Sequence, residues 1–257
     1  MTSKQASKQS VTISIVSHAQ QAMVLPLLEQ LDRHCQGVVA NVVLTINVAE
    51  ENLVSTRKWK IPLTLLTNAR PLGFGANHNT AFELCKTPWF LVLNPDIRLR
   101  DDVLSHLISS APEDAALVAP RIQEPSHVAP TPHRGLLTPI EIWKRRHPSH
   151  QPPLLPAWIP GMFMLFRSEA YRQINGFDPR FFMYGEDFDI CARLRLAGWQ
   201  LRTDEGTTVL HEAQRDSHRK FRPLYWHLSS LAKIWLSPTF WRYRALLLRA
   251  SKSTATI

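Results

Sequence analysis

Three carboxylates within four positions, Glu186, Asp187 and Asp189, open a stretch in which Phe188, Cys191, Leu194 and Ala197 share one helical face before Gly198 ends it. In the first turn of a helix the macrodipole favours ionised acids. One such carboxylate can act as a general base, although helix capping explains the spacing more simply. Asn94-Pro95-Asp96 follows the apolar run Trp89–Asn94. An aspartate on a proline-stiffened turn beyond a buried strand can present its carboxylate to a divalent metal holding a diphosphate. Taken alone, it reads as a turn cap. His211-Glu212 resembles the start of a zinc-protease motif, but the next histidine is His218, so the HExxH spacing fails. A histidine closing a strand could instead give a nitrogen ligand to the same metal; more often such a residue is simply a half-buried polar group. Pro71–Asn79 (PLGFGANHN) carries Gly73-x-Gly75 ahead of a helix. It lacks the third glycine and the acidic partner of the dinucleotide fingerprint. As a tight turn it would let backbone and Asn79 approach a nucleotide.

These residues need elements to position them. Val11–Ser17, Val38–Asn47, Ile61–Asn68 and Trp89–Asn94 are short β-branched or apolar runs that read as strands. Helix-like stretches lie at Met23–Cys35, ending near Gly37, and at Gly75–Cys85. This alternation predicts an α/β fold with a mostly parallel sheet covered on both faces. Ligands in such sheets sit beyond the carboxyl ends of the strands, where His18, Asn47, Asn68 and the Asn94–Asp96 turn fall. Ten of the nineteen prolines lie between Pro120 and Pro160, which predicts a long loop, either a functional lid or a plain surface insertion. Gly161–Ser168 then reads as a core strand, Glu169–Ile174 as a helix and Thr207–His211 as a last short strand.

The chain has 257 residues, 44% hydrophobic and 20% charged, which excludes disorder over most of its length. Three cysteines far apart, Cys35, Cys85 and Cys191, suggest neither a disulfide framework nor a cysteine zinc site, and point to a reducing cytosol. The polar first ten residues run into an apolar segment too short for a signal peptide, and no run reaches the roughly 18 apolar residues of a membrane span. The net charge of +9 is concentrated at one end. Up to Glu212 there are 21 basic and 20 acidic residues; from Ala213 there are nine basic residues and only Asp216. A nearly neutral body argues against nucleic acid as a partner, whereas a basic tail suits phosphates or an anionic surface. In that tail Trp226, Trp235, Phe240, Trp241 and Tyr243 interleave with Lys233, Arg242, Arg244 and Arg249. Leu224, Leu228, Leu231 and Trp235 recur at helical spacing. Such a helix pair can lie in a membrane interface or pack on the body of the protein.

In order, LGFGANHN, FLVLNPD, WIPGMFML, GFDPRFFMYGEDFDICARLRLAGW and VLH together resemble family 2 glycosyltransferases of the GT-A fold. The resemblance is strongest to the rhamnosyltransferase-type branch, which pairs NPD with FF-x-Y-x-ED-x-D, and it covers Val11 to Arg219, about four-fifths of the chain. It implies a Rossmann-like, mixed and mostly parallel sheet with helices on both faces over 11–215. A disordered start (1–10) precedes this domain, a proline-rich loop (120–160) interrupts it, and a basic amphipathic helical segment (216–257) follows it. Asp96 matches the metal-binding aspartate of a DxD-like motif, Asn94 stands at its first aspartate, and His211 matches a histidine completing a Mg²⁺ or Mn²⁺ site. Asp187 matches the catalytic base, with Glu186 positioning the acceptor. Ser17, Asn47, Gly73, Gly75, Asn79 and Gly161 match the nucleotide-sugar side and Trp158 the acceptor side. Arg215, Arg219 and Lys220, just after His211, read either as cationic clamps on the diphosphate or as a solvated basic segment. Two segments differ from the usual pattern: Ser17-His18-Ala19 replaces Ser-Tyr/Trp-Asn, and Asn47-Val48-Ala49-Glu50-Glu51 replaces Asn-x-Ser-x-Asp.

The implied activity is inverting transfer of a sugar from a nucleotide-sugar donor to a saccharide or lipid-linked acceptor in cell-surface polysaccharide synthesis. The expected donor is dTDP-L-rhamnose, with UDP-galactofuranose or another UDP-hexose next. The expected place is the cytoplasm, peripherally on the inner face of the plasma membrane. Two other readings remain open: a sugar-nucleotide-binding relative without turnover, and an adaptor whose basic tail binds lipid or nucleic acid. A nucleotidylyltransferase is disfavoured, because no Gly-rich loop with Arg or Lys follows the first strand.

Overall fold

The computed structural model describes residues 10–147, 149–212 and 221–254. β1 (Val11–His18) is central and pairs in parallel with β2 (Val39–Val48) and β4 (Trp89–Leu93), and β2 pairs in parallel with β3 (Leu63–Thr67). β7 (Phe163–Arg167) runs antiparallel to β4, and β6 (Ala115–Gln123) antiparallel to β7. β8 (Gln200–His211) is parallel to β6, and the two-residue β5 (Ile97–Arg98) caps its end. The eight-stranded order is β3-β2-β1-β4-β7-β6-β8-β5. Apart from β7 and β5, every strand points the same way.

Side chains of successive strand residues point to opposite faces, so the continuous apolar runs supply two cores. Leu91 and Leu93 join Ile13, Ile15 and Leu44 on the face covered by α1 (Gln21–His34) and α3 (Val103–Ser110). Phe90 and Val92 join Met164, Phe166, Tyr171 and Phe177 on the other face, below α2 (Phe74–Phe82), α5 (Ser168–Gln173) and α6 (Glu186–Leu196).

The structure alters several sequence expectations. The Pro120–Pro160 segment is not simply a loop. β6 runs into it as far as Gln123, a short α4 (Pro139–Lys144) lies inside it, and Arg134 bridges to Trp158. Pro120 is tolerated in β6 because the pairing with β8 is irregular just there, between Pro120 and Arg121. β8 begins at Gln200 rather than Thr207; its half-exposed polar residues hid the strand. α3, capped by Asp102, is a helix beyond those expected from the sequence.

The tail forms α7 (Phe221–Leu236) and α8 (Pro238–Thr254). Ile234, Phe240 and Tyr243 are buried in a third cluster with Phe181, Phe188 and Ala192. Trp235 donates its indole N–H to the Leu137 carbonyl at 2.8 Å, and the Tyr243 hydroxyl bonds the Ala157 carbonyl at 2.5 Å. One face of the tail is therefore part of the folded body. α6, expected to bury one face, is buried on two, because α8 covers Phe188 and Ala192 while the sheet side holds Cys191 and Leu194. Ala197, expected on the buried stripe, is exposed. The expectation of disorder at 1–10 falls outside the described residues except at Ser10, which is buried and donates its N–H to the Val38 carbonyl at 2.8 Å. The boundary placed at 215 also lies outside them.

Candidate active site

The Asp96 half of the site is built by pairing. Ile97 of β5 stands opposite His211 of β8, and the Glu212 N–H donates to the Asp96 carbonyl at 2.9 Å. This brings His211 Nε2 to 3.1 Å from Asp96 Oδ2, across 115 residues of sequence. Arg98 secures the edge with a 2.8 Å ion pair to Glu212. Burial opposes protonation of His211, but its hydrogen bond to Asp96 and the charges of Asp96 and Glu124 prevail and raise its pKa. Asp96 Oδ1 and His211 Nδ1 are buried and have no hydrogen-bond partner among the described residues; Glu124 Oε1 is 3.9 Å from that nitrogen. A carboxylate oxygen and an imidazole are suitable donors for Mg²⁺ or Mn²⁺. Among the described residues no group of three His, Cys, Asp or Glu side chains forms a ready metal site. Among the described residues Asp96 and His211 are the two ligands on offer here, and a metal would need further oxygens from elsewhere.

The Asp187 half begins with a left-handed step. Tyr184 (φ 69°) and Gly185 (φ 84°) turn the chain into α6, and Glu186 and Asp187 occupy its first turn. Asp187 Oδ1 accepts the Phe188 N–H at 2.8 Å and Oδ2 accepts the Gly161 N–H at 3.3 Å. Burial pushes the Asp187 pKa above the usual carboxylate range, against the pull of those N–H groups and of Arg134. Glu186 is buried and its Oε2 has no hydrogen-bond partner among the described residues; burial first, then the charge of Asp187, raises its pKa. Asp189 differs from both. It pairs with Arg193 at 2.7 Å, and Arg193 also donates to the Ile174 carbonyl, so this acid braces the helix.

The two halves meet at consecutive residues. Gly161 gives its N–H to Asp187, while the Met162 carbonyl accepts the Asn94 N–H at 2.9 Å. Trp158 lies just upstream. Its indole donates to the Gly135 carbonyl at 2.9 Å and its ring packs edge-on to Phe188.

On the nucleotide side the expected residues turn out to be closely braced. Ser17 is buried and its hydroxyl accepts the Gln20 N–H. Asn47 Oδ1 accepts from Leu72 N–H and Asn68 Nδ2, both at 2.8 Å, while its amide reaches the Leu72 carbonyl and His18. Asn77, absent from the sequence reading, completes this asparagine cluster through Asn68. A Cβ on Gly73 would sit 2.6 Å from the Phe182 carbonyl oxygen, and one on Gly75 2.5 Å from the Phe177 Cβ. Close protein contact thus already requires both glycines. Asn79 is half-buried and its side chain is held by the protein itself. It accepts from the Tyr171 hydroxyl at 2.6 Å and the Phe177 N–H at 2.9 Å, and donates to the Phe177 carbonyl at 2.8 Å. Arg215, Arg219 and Lys220 lie outside the described residues. Arg134, which no sequence motif marks, lies close enough to Asp187 to favour its ionised form. A basic residue in a proline-rich segment gave no pattern by which to find it.

A mixed sheet of this order, with an Asp–His pair and an acidic helix start at one end of its parallel strands, defines the GT-A class of nucleotide-sugar transferase fold. Two solved structures share the fold. One is GalNAc-T7 with UDP, GalNAc and Mn²⁺ (TM-score 0.63, 14% identity, 81% of this chain and 44% of that one). The other is the mannosyltransferase PcManGT from Pyrobaculum calidifontis in complex with GDP-Man and Mn²⁺ (TM-score 0.61, 14% identity, 98% and 82%). The family model described as "Glycosyltransferase like family 2" matches residues 34–222, and the chain belongs to that family. Rhamnosyltransferase WbbL of Escherichia coli strain K12 is 28% identical over 244 residues, covering 86% of this chain and 90% of that protein. The N-acetylglucosaminyl-diphospho-decaprenol L-rhamnosyltransferase of Mycobacterium tuberculosis H37Rv is 29% identical over 153 residues; the match spans 51% of this chain and about half, 49%, of that protein.

Proposed function

We propose that this protein is an inverting, rhamnosyltransferase-type glycosyltransferase that moves a deoxysugar, L-rhamnose from dTDP-L-rhamnose, onto a hydroxyl of a saccharide or lipid-linked acceptor. The observation that carries this is the link at Gly161-Met162, which fixes a base-like carboxylate, Asp187, beside the turn that presents Asp96. The rhamnosyltransferase names of the two relatives support the sugar. Galactofuranosyl transfer from a UDP-sugar is the second choice.

In this reading Asp187 Oδ accepts the proton of the acceptor hydroxyl as that oxygen bonds to the anomeric carbon. The bond from that carbon to the diphosphate oxygen breaks on the opposite face, and the nucleoside diphosphate leaves with the electron pair. The N–H groups of Gly161 and Phe188 hold the carboxylate in place, and the raised pKa makes it a stronger base than a free aspartate. Glu186, buried alongside, positions the acceptor. Asp96 and His211 would hold Mg²⁺ or Mn²⁺, which when bound supplies charge neutralisation for the departing diphosphate.

The tail supplies the membrane part of the proposal. Its inner face is buried, but Tyr225, Leu236 and Trp241 keep 70%, 83% and 53% of their surface exposed. Lys233, Arg242 and Arg244 are exposed among them. This outer face suits an anionic bilayer surface holding a lipid-linked acceptor on the cytoplasmic side. Among the described residues no helix is long and apolar enough to cross a membrane.

The test is calorimetric titration and thermal shift with dTDP, UDP, GDP and their sugars, with and without Mn²⁺, on the wild type, Asp96→Ala and His211→Ala. Metal-dependent stabilisation by dTDP-L-rhamnose that both variants lose is the expected result. Stabilisation by UDP-sugars alone would move the donor to the second choice. No response of folded wild type to any nucleotide would overturn the transferase reading.

A further inference from the structure

Arg134 and Arg145, two of the four arginines in the proline-rich segment, have no part in the mechanism above. Arg134 is fixed at both ends of its peptide. It forms an isolated bridge with Trp158, its carbonyl accepts the Ala157 N–H at 2.8 Å, and the next carbonyl, of Gly135, takes the Trp158 indole. Two residues on, Leu137 is tied to α7 through Trp235. The backbone that carries Arg134 is thus clamped between the site and the tail. Its side chain lines a cleft with Trp158, Pro160 and Met162, the last being the residue whose carbonyl holds Asn94.

The Arg134 Nε is buried and donates to nothing among the described residues. Leaving a charged donor unsatisfied in a buried position is costly, unless a ligand completes it. No carboxylate among the described residues comes within ion-pair distance of either Arg134 or Arg145. Arg145, half-buried at the end of α4, is close enough for its charge to oppose that of Arg134, while the charges of Asp187 and Glu124 favour it. The neighbouring basic side chains of the cleft already have partners. Arg121 and His133 both reach Glu205 Oε1, at 3.4 and 3.3 Å.

We infer that Arg134, assisted by Arg145, is an anion site for a diphosphate, set between Asp187 and the Asp96–His211 pair. A planar guanidinium with free donors matches phosphate oxygens in a way that a lysine cannot. Two sources share this chemistry: the diphosphate of the nucleotide donor, and the diphosphate that joins a saccharide to a polyprenyl carrier. The inference rests on the transferase reading of the site and adds a specificity-determining pair to it.

Titration of the full chain with dTDP plus Mn²⁺, UDP plus Mn²⁺ and geranyl diphosphate, compared among wild type, Arg134→Gln, Arg145→Gln and Arg134→Lys, tests it. Arg134→Gln should weaken at least one diphosphate by about 10-fold or more, Arg145→Gln by less, and Arg134→Lys should recover part of the loss. A loss confined to the nucleotides places the donor's diphosphate on Arg134; a loss confined to geranyl diphosphate places a lipid-linked acceptor there. If Arg134→Gln does not fold, the lysine variant and Arg145→Gln decide by the same readout. Unchanged affinity for all three probes in folded variants overturns the inference but leaves the transferase reading standing. Wild type that binds no diphosphate overturns both.

Discussion

Gly185 and Ile234 stand so close that a Cβ on the glycine would lie 2.9 Å from the isoleucine Cδ1. One residue precedes the acidic pair; the other lies on a helix that the sequence suggests as a membrane element. Ser230 reinforces the contact by donating to the Met183 carbonyl at 3.1 Å. The tail therefore holds the turn that delivers Glu186 and Asp187, and damage to it should reach the chemistry.

Gly185→Ala should destabilise the protein by about 1–2 kcal/mol, because φ of 84° is unfavourable for any residue with a Cβ. Urea denaturation would measure this. Replacing Ile234 by Ala in the same chain should not restore the loss, since room alone does not remove the backbone strain. Removing residues 221–257 should expose Phe188 and Ala192 and lower solubility and thermal stability together.

Asp187→Asn should reduce turnover by about 10² to 10⁴ and leave nucleotide affinity near that of wild type. In the wild type, activity should fall on acidification through a pH above the ordinary aspartate value of about 4, since burial raises the pKa and only the ionised form accepts a proton. The pH dependence of kcat/KM with a working donor and acceptor would show this limb. A limb at the ordinary aspartate value would remove the argument that burial tunes this base.

Glu186→Gln makes a prediction of opposite character. The native-state pKa of Glu186 is raised, so folding favours its protonated form. The native state is therefore penalised as pH rises from the ordinary glutamate value toward the raised one, and above both the penalty is complete. The glutamine variant should match the wild type near pH 4. At pH 8 it should melt higher, by about 2–4 °C for each kcal/mol of relief. Melting curves across that range, read together with acceptor KM, separate the stability effect from the positioning role. A variant that melts lower at pH 8 would contradict the raised pKa.

Asn79→Ala should leave nucleotide binding intact and cost stability. Three hydrogen bonds tie this side chain to Tyr171 and Phe177, and removing it strands a buried hydroxyl and a backbone N–H, a loss of about 1–3 kcal/mol. Denaturation and dTDP titration on the same preparation would distinguish a brace from a nucleotide ligand.

Unbroken apolar runs in the sequence dictate which elements form and in what order. Val11–His18, Val39–Val48 and Trp89–Leu93 are strands buried on both faces, and such runs have little alternative in water. The sequence also determined the positions of the motif residues at strand ends and at the start of α6, because a proline turn and a glycine stop are local. Tertiary structure alone decided which of them meet. Asp96 finds His211 only because β5 pairs with the end of β8, and Asp187 finds Gly161 only because β7 lies against β4. It also tied Asn79 to Tyr171 and Phe177, extended β6 past a proline, folded one face of the basic tail onto α6 and left the Arg134 Nε without a partner among the described residues. Pairing register and the contact of one amphipathic face with another depend on partners distant in the chain, and no local pattern of residues encodes the partner's position.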